Sequence, residues 1–164
     1  MLQAKNNPQD PQNARKLRES VLSELVSLKR VAKVTAGGKR LRFTAVMVVG
    51  NGQGKVGIAL AHGKEPAEAI QKAIAKAKNR MFEVPIDKRS DTIPFKIELK
   101  YRSARIIMKP APQGVGIVAG GTMRKVLSVA GYKNVVAKQL GAPNPIANAY
   151  ATIYALYKMK EKVQ

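Results

Sequence analysis

The stretch RVAKVTAGGKRLRFTAVMVVGNGQGKVGIALAHG, from Arg30 to Gly63, decides the fold of the first half of this 164-residue chain. Apolar and polar residues alternate over residues 26–34, and two longer apolar runs follow over residues 40–50 and 55–63. A glycine pair separates the first run from the second, and a glycine-rich turn separates the second from the third. Runs of this kind are typical of antiparallel strands joined by tight turns. The stretch therefore predicts a three-stranded antiparallel meander.

The sequence that follows, KEPAEAIQKAIAKAKNRM, has the periodicity of a helix. Pro66 suits the first helical turn, and acidic residues around it suit the positive end of the helix dipole. A β-β-β-α unit is therefore predicted. The side of the helix expected to face the sheet consists of Ala67, Ile70, Ile74, Ala77 and Met81.

The residues before the stretch are less regular. Residues 1–13 are rich in Asn, Gln and Pro and are predicted to be a disordered tail. From Ala14 to Leu28 the apolar residues Leu17, Val21, Leu25 and Leu28 recur at helical spacing, which predicts an amphipathic helix that gives way to the first strand near Val26. The role of segment 14–25 is left open. The first domain is taken as residues 14–85.

A second unit follows a polar, proline-containing linker over residues 86–91. It is predicted as β-β-α-β-α over residues 92–158, with a frayed tail over residues 159–164. Its strands are expected over 93–99, 104–110 and 134–140, with a glycine-rich loop over 110–121, a helix capped by Thr122 and ended by Gly131, and a last helix that begins at Asn144-Pro145.

Composition excludes several classes of site. The chain has no cysteine and a single histidine, His62, which removes disulfides, thiol nucleophiles and His- or Cys-rich metal centres. We see no apolar run near 20 residues and no signal-peptide core, so we expect a soluble intracellular protein. The net charge is +20, with +10 on each side of Ile86. A polyanionic partner is therefore expected, nucleic acid before a membrane surface.

Two glycine-rich motifs resemble nucleotide-binding loops only superficially. In GNGQGKVG, Val56 stands where a Walker loop needs Ser or Thr, and Val49 stands where it needs its first glycine. In GVGIVAGGTMRK, no carboxylate follows at the distance that a dinucleotide fold requires. No nucleotide cofactor is predicted. The second loop is compatible with an RNA phosphate at a helix N-terminus, or with backbone geometry alone.

Basic residues cluster around Gly37-Gly38. A charge run is usually a solvated surface, but here it flanks a turn that lets a partner approach the backbone closely, which suits phosphates of a folded RNA. Aromatic residues are only 5% of the chain, so phosphate and shape recognition is favoured over base stacking. His62 is compatible with an RNA hydrogen bond and equally with a solvated strand end.

The blocks RVAKVTAGGKRLRF, VVGNGQGKVGIALAHGKE, PAEAIQKAIAKAKNRM, MKPAPQGVGIVAGGTMRKVLSVAG and GAPNPIANAYATI occur in the order and spacing of one family. From Arg30 to Tyr157 the chain resembles the bacterial small-subunit ribosomal protein S5 family. The resemblance implies an α+β fold: an N-terminal double-stranded-RNA-binding-like β-β-β-α domain and a C-terminal β-β-α-β-α domain with a left-handed βαβ crossover. A short tail after Tyr157 departs from the family.

The resemblance also implies a structural constituent of the small ribosomal subunit, in a cytoplasmic or an organellar ribosome. Such a protein binds small-subunit ribosomal RNA, adjoins ribosomal proteins S4 and S8, and supports assembly and translational accuracy. The segment Val31 to Arg42 corresponds to the loop near the spectinomycin pocket, and Ser103 to Lys109 to the side that faces S4. The alternatives are a free-standing double-stranded-RNA-binding regulator or RNA chaperone and, less favoured, a nucleotide-dependent enzyme.

The candidate residues follow from these two lines of argument. No catalytic residue, metal, cofactor or small-molecule substrate is predicted. The predicted protein contacts are Tyr101, Ser103 and Arg105. The predicted RNA contacts are Arg30, Lys33, Gly37, Gly38, Lys39, Arg40, Arg42, Asn51, Gln53, Lys55, His62, Lys64, Lys109, Arg124 and Lys125.

Overall fold

The computed structural model describes residues 21–163, which form two β-sheets and three helices. The first sheet follows the predicted meander: each strand pairs antiparallel with the next, and the helix comes after the third strand. Its elements are β1 (Leu22–Thr35), β2 (Gly38–Gly50), β3 (Lys55–Gly63), α1 (Pro66–Lys78) and β4 (Phe82–Glu83).

The second sheet has the order β5-β6-β8-β7, in which β7 and β8 run parallel and flank a helix in sequence. Its elements are β5 (Ile97–Tyr101), β6 (Ala104–Pro110), β7 (Ile117–Val118), α2 (Gly121–Ala130), β8 (Val135–Gln139) and α3 (Pro145–Val163). The two-domain α+β fold is thus confirmed. The left-handed sense of the crossover and the predicted domain boundaries stay predictions.

The helix predicted over residues 14–28 is wrong for residues 22–28, which belong to β1; residues 14–20 lie outside the described part. The cause is a β-bulge between Leu25 and Ser27. Val21 and Leu25 pack on the α1 side of the sheet, and after the extra residue Leu28 returns to that side opposite Ala45. The bulge thus turns a strand's alternation into spacings of four and three, which imitate a helix.

Helix α1 packs closer to the sheet than its isoleucines suggest. The buried stripe is Ala69, Ala73 and Ala77, whereas Ala67 is exposed and the isoleucines are half-buried. A Cβ on Gly57 would lie 2.4 Å from the Ala77 carbonyl oxygen. Only small residues fit between the helix and β3, so the predicted stripe is displaced by the close approach of the backbones.

Four details of the second unit differ from the predictions. Strand β5 begins at Ile97 and not at Ile93, because Pro94 has no N–H to donate to a ladder. Two residues of the predicted loop pair as β7. Thr122 does not cap α2, since Gly120 is the N-cap and makes no side-chain bond. The C-terminus does not fray from residue 159, because α3 continues to Val163 and buries Met159 completely.

Two helix ends are as predicted. Gly131 ends α2 in the left-handed conformation, with φ of 101°. The Ile146 N–H donates to Asn144 Oδ1 over 3.1 Å at the start of α3.

No helix within residues 21–163 is long and apolar enough to cross a membrane.

The two units share one core. The face of the first sheet that carries Val46, Val48 and Ile58 packs against the second unit, while α1 covers the opposite face. The β2–β3 turn clasps the end of α2: the Gly52 N–H donates to the Val129 carbonyl over 3.1 Å, and the Gly54 N–H to that of Ala130 over 2.9 Å. Each fully buried valine or isoleucine contributes about 1.5–3 kcal/mol, so this shared face is a major part of the fold's stability.

Candidate nucleic-acid interface

The hairpin formed by the distal halves of β1 and β2 projects from the body of the protein. Every residue from Leu28 to Arg42 is exposed, and its described backbone partners are on the opposite strand of the same hairpin. The five residue pairs from Val31–Arg42 to Thr35–Gly38, at about 3.4 Å per residue, give a projection of roughly 15 Å. The hairpin therefore offers both of its faces to a partner.

The register separates the hairpin's side chains by chemistry. Residues paired across antiparallel strands lie on the same face. Lys33 pairs with Arg40, and Val31 with Arg42. One face, which we call the basic face, therefore carries Lys29, Lys33, Arg40 and Arg42. Sequence reasoning missed Lys29, although its spacing of four from Lys33 places both on one side of a strand.

The opposite face of the hairpin, which we call the apolar face, carries Leu28, Ala32, Val34 and Leu41, interrupted by Arg30 and Lys39. Val34 is 73% exposed, more than the other large hydrophobic side chains described. The predicted cluster is thus divided between two surfaces: Arg30 and Lys39 do not point the same way as Lys33, Arg40 and Arg42.

The tip of the hairpin differs from the prediction by one residue. The two-residue turn is Ala36-Gly37, while Gly38 pairs with Thr35 and adopts φ of +127°. The Thr35 hydroxyl donates to the Gly38 carbonyl over 3.0 Å. A side chain at Gly38 would meet no neighbouring atom, so the requirement for glycine there is conformational.

A shallow cleft of about 220 Å³ lies at the base of the hairpin and includes Arg42, His62, Lys64 and Lys72 among its lining residues. The Thr44 hydroxyl and His62 Nδ1 share a hydrogen bond of 2.8 Å, which orients the ring. Glu68 is the cleft's acidic group. The Lys72 ammonium and the Lys64 N–H hold the pKa of its carboxyl below the ordinary value, so it stays ionised. Three cations against one carboxylate leave the cleft suited to an anion.

Several predicted RNA contacts already have partners inside the protein. Asn51 Oδ1 accepts the N–H groups of Gln53 and Lys55, each over 2.9 Å, and so shapes the β2–β3 turn. The Lys125 ammonium donates to the Leu25 carbonyl over 2.7 Å, and an Arg124 guanidinium N–H donates to Ile117 over 2.8 Å. These internal hydrogen bonds give Asn51, Arg124 and Lys125 a structural role that requires no contact with RNA.

The remaining predicted contacts are more available. Lys55 pairs with Glu83 over 3.2 Å, but both side chains are largely exposed. Gln53 and Lys109 are exposed and form no described side-chain bond. Their role as RNA contacts stays a prediction, as does that of the hairpin residues.

Two family models cover most of the chain. The model described as "Ribosomal protein S5, N-terminal domain" matches residues 21–85, and "Ribosomal protein S5, C-terminal domain" matches residues 99–164. The chain belongs to the ribosomal protein S5 family. This confirms the family inferred from the five sequence blocks, and with it a structural, non-enzymatic role.

Curated relatives of this chain carry the name of the same family. Small ribosomal subunit protein uS5 of Acaryochloris marina is 42% identical over 149 residues, which are 90% of this chain and 84% of the relative. That of Thermotoga neapolitana is 43% identical over 86% of this chain and 78% of the relative. Protein uS5c of Spinacia oleracea is 41% identical over 89% of this chain and 47% of its own length.

The surface predicted to face ribosomal protein S4 centres on the β5–β6 hairpin. Arg105 is not free: its Nε donates to Glu98 Oε1 over 2.8 Å across the hairpin. The Ser103 carbonyl accepts a hydrogen bond from the Ala142 N–H over 3.0 Å. Tyr101 packs on Tyr154 at a centroid distance of 5.8 Å. The three residues lie on one hairpin, and each has a contact within the second unit.

The described residues hold no cluster of three His, Cys, Asp or Glu side chains that suits a metal ion. The cationic hairpin and cleft can hold phosphates, which agrees with the structural, non-enzymatic role of the family.

Proposed function

We propose that this protein is a structural component of the small ribosomal subunit that binds small-subunit ribosomal RNA through the basic face of its β1–β2 hairpin. The observation that carries the proposal is that face itself: four cations on one side of an exposed hairpin, in a member of the S5 family with a net charge of +20. Within residues 21–163 no carboxylate forms an ion pair with any of the four.

The cleft at the hairpin's base extends the same surface. Arg42 belongs to both the basic face and the cleft, and His62 lies on the strand next to it, paired through Thr44. Phosphates on successive nucleotides can therefore meet the hairpin and then the cleft. Cationic side chains that have no protein partner contribute most to RNA affinity, because their binding to phosphates releases counterions from the RNA.

Contacts with neighbouring ribosomal proteins form the second part of the proposal. We assign the β5–β6 hairpin, with Tyr101, Ser103 and Arg105, to the contact with S4, and propose S8 as a further neighbour. The Arg105–Glu98 pair is exposed, so its net value is only about 0–1 kcal/mol and a partner carboxylate can compete for the guanidinium. Through these contacts the protein supports assembly and translational accuracy.

Sucrose-gradient sedimentation tests the proposal. The full chain is expressed with a tag in a bacterium whose own S5 can be depleted. We expect co-migration with the small subunit and support of growth. The variant Lys33→Glu/Arg40→Glu should melt normally but incorporate poorly, because it faces phosphates with carboxylates.

The matched control is Lys96→Glu/Lys138→Glu, which makes the same charge change at two exposed lysines of the second unit. A wild-type chain found only in slow, RNA-free fractions, or associated with other RNAs, would favour the free-standing regulator. Equal incorporation of both double variants would remove the hairpin from the interface.

A further inference from the structure

A groove lined by aromatic rings borders the β5–β6 hairpin, with which it shares Tyr101. Four of the chain's five tyrosines meet there, at the point where α3 passes β4 and β5. The groove has a volume of about 330 Å³. Its lining consists of Tyr101, Tyr150, Tyr154 and Tyr157 with Ile58, Phe82 and Ile153. We call it the tyrosine groove.

The groove is open to solvent. Tyr154 and Tyr157 are 42% and 43% exposed, although both lie on a helix whose other face is in the core. Exposed aromatic rings that border a concave apolar surface mark interaction sites more often than scattered apolar residues do. Within residues 21–163 no segment fills the groove.

The geometry of the rings disfavours an RNA base. Phe82 and Tyr157 meet edge to face at 74°, and Tyr101 and Tyr154 are tilted by 46°. Outer faces are also covered: the Arg102 guanidinium lies 5.6 Å from the Tyr101 ring centre, and the Lys158 ammonium 5.2 Å from that of Tyr154. A flat base needs a parallel ring face, whereas an aliphatic or aromatic side chain fits between tilted rings.

The rim of the groove is cationic. Arg102 and Lys158 stand at its mouth, and the Arg80 guanidinium is near enough to oppose the rise that burial causes in the pKa of Tyr150. Among the described residues none of these three cations has an ion-pair partner within 4.0 Å. An apolar floor inside a positive rim is complementary to an apolar side chain flanked by carboxylates.

We propose that the tyrosine groove docks an apolar side chain carried on an acidic segment of a neighbouring protein in the small subunit. The inference rests on the proposed function, since it takes the neighbour from the assembled subunit. A second copy of this chain is disfavoured by its own charge of +20. Residues 1–20 are disfavoured because they contain four basic and two acidic side chains.

Photocrosslinking from within the groove tests the proposal. The photoreactive amino acid p-benzoylphenylalanine replaces Tyr154 in the full chain, which is assembled into small subunits, irradiated and digested. Sedimentation with the subunit is scored first, and it tests the proposed function separately. We expect an adduct to an identified peptide of another ribosomal protein that has an apolar residue within a few positions of Asp or Glu.

Charge reversal at the rim supplies the second arm. The variant Arg102→Glu/Lys158→Glu should lower the adduct yield about fivefold or more, because two favourable rim charges become repulsive. The control Lys96→Glu/Lys138→Glu, away from the groove, should leave the yield unchanged. Lys158 is partly buried and the other three substituted side chains are exposed, so the thermal melting of both double variants should stay close to the parent's.

Four results would overturn the inference: an adduct to RNA, an adduct to residues 1–20 or a second copy, an adduct to a segment without acidic residues, and no adduct in subunits that contain the protein. An unchanged yield in the rim variant would also overturn it. None of these results would remove the protein from the small subunit.

Discussion

Two positively charged side chains of the basic face lie opposite each other across the hairpin, and removing both charges should weaken RNA binding by an amount that can be calculated. In Lys33→Gln/Arg40→Gln both changes lie on one residue pair of the hairpin, and both side chains are exposed. Glutamine retains much of the length and removes only the charge. Because neither side chain has a described protein partner, the free energy of unfolding should change by less than about 0.5 kcal/mol.

The magnitude follows from counterion release. Each neutralised phosphate contributes about 0.7–0.9 to the slope of log affinity against log salt, so two lost contacts should lower the slope by about 1.4–1.8. At about 0.15 M salt, two contacts with a slope of roughly 0.8 each correspond to a factor of about 20 in affinity. That factor equals about 1.8 kcal/mol of binding free energy.

Filter binding to a transcript of the small-subunit ribosomal RNA, between about 0.05 and 0.3 M salt, measures both quantities. The control Lys96→Gln/Lys138→Gln has the same net charge at a distance from the hairpin. If the control loses as much affinity and slope as the hairpin variant, only net charge matters and the basic face is not the interface. An unchanged slope in the hairpin variant would refute the phosphate contacts directly.

Three further predictions concern other parts of the molecule. Arg105→Glu should lower the melting temperature slightly, because it places a carboxylate next to Glu98, and it should raise misreading in a translation assay. If the additional change Glu98→Lys restores both the melting temperature and fidelity, Arg105 acts only within the β5–β6 hairpin. Gly131→Ala should lower the free energy of unfolding, measured in urea, by about 2 kcal/mol or more, because φ is +101° and the new Cβ would lie 2.2 Å from the Gly52 oxygen. The control Gly114→Ala, at φ +91° in open space, should lower it by only about 1 kcal/mol. Equal losses of stability in the two variants would contradict the steric argument. Burial raises the pKa of Tyr132 well above its ordinary value of 10.0, so the unfolded chain ionises first and stability should fall as pH rises above about 10. Tyr132→Phe should flatten that fall while losing the 2.8 Å bond to the Pro85 carbonyl, and identical pH profiles for both proteins would show that Tyr132 does not drive it.

Features that depend on local chain chemistry could be read from the sequence. The glycine turns set the meander, Asn144 caps α3, and Gly131 ends α2 in the conformation that glycine favours. The cationic cluster on the hairpin was also recognisable, since charged residues bracket the turn. Its division into two faces follows from the register alone, which sequence periodicity could have supplied.

Features that depend on contacts between distant segments could not be read in the same way. The bulge at Leu25 and Ser27 imitates a helix because only the partner strand reveals the extra residue. The alanine stripe of α1 is selected by Gly57 and Gly63 on β3, which sequence reasoning placed in a strand without regard to the helix above it. Lys125 and Arg124 looked available for RNA because their carbonyl partners, Leu25 and Ile117, lie on other elements.

The shared core between the two units has a consequence for synthesis of the chain. The sheet face that carries Val46, Val48 and Ile58 is complete once Gly63 has been made, but the helix that covers it ends only at Gly131. At about 5–20 residues per second, the growing chain exposes an apolar sheet for roughly 3–14 s before its cover is available. During that interval the nascent first unit is a natural client for a chaperone that binds apolar surfaces, and pausing of translation between residues 63 and 131 would lengthen its exposure to aggregation.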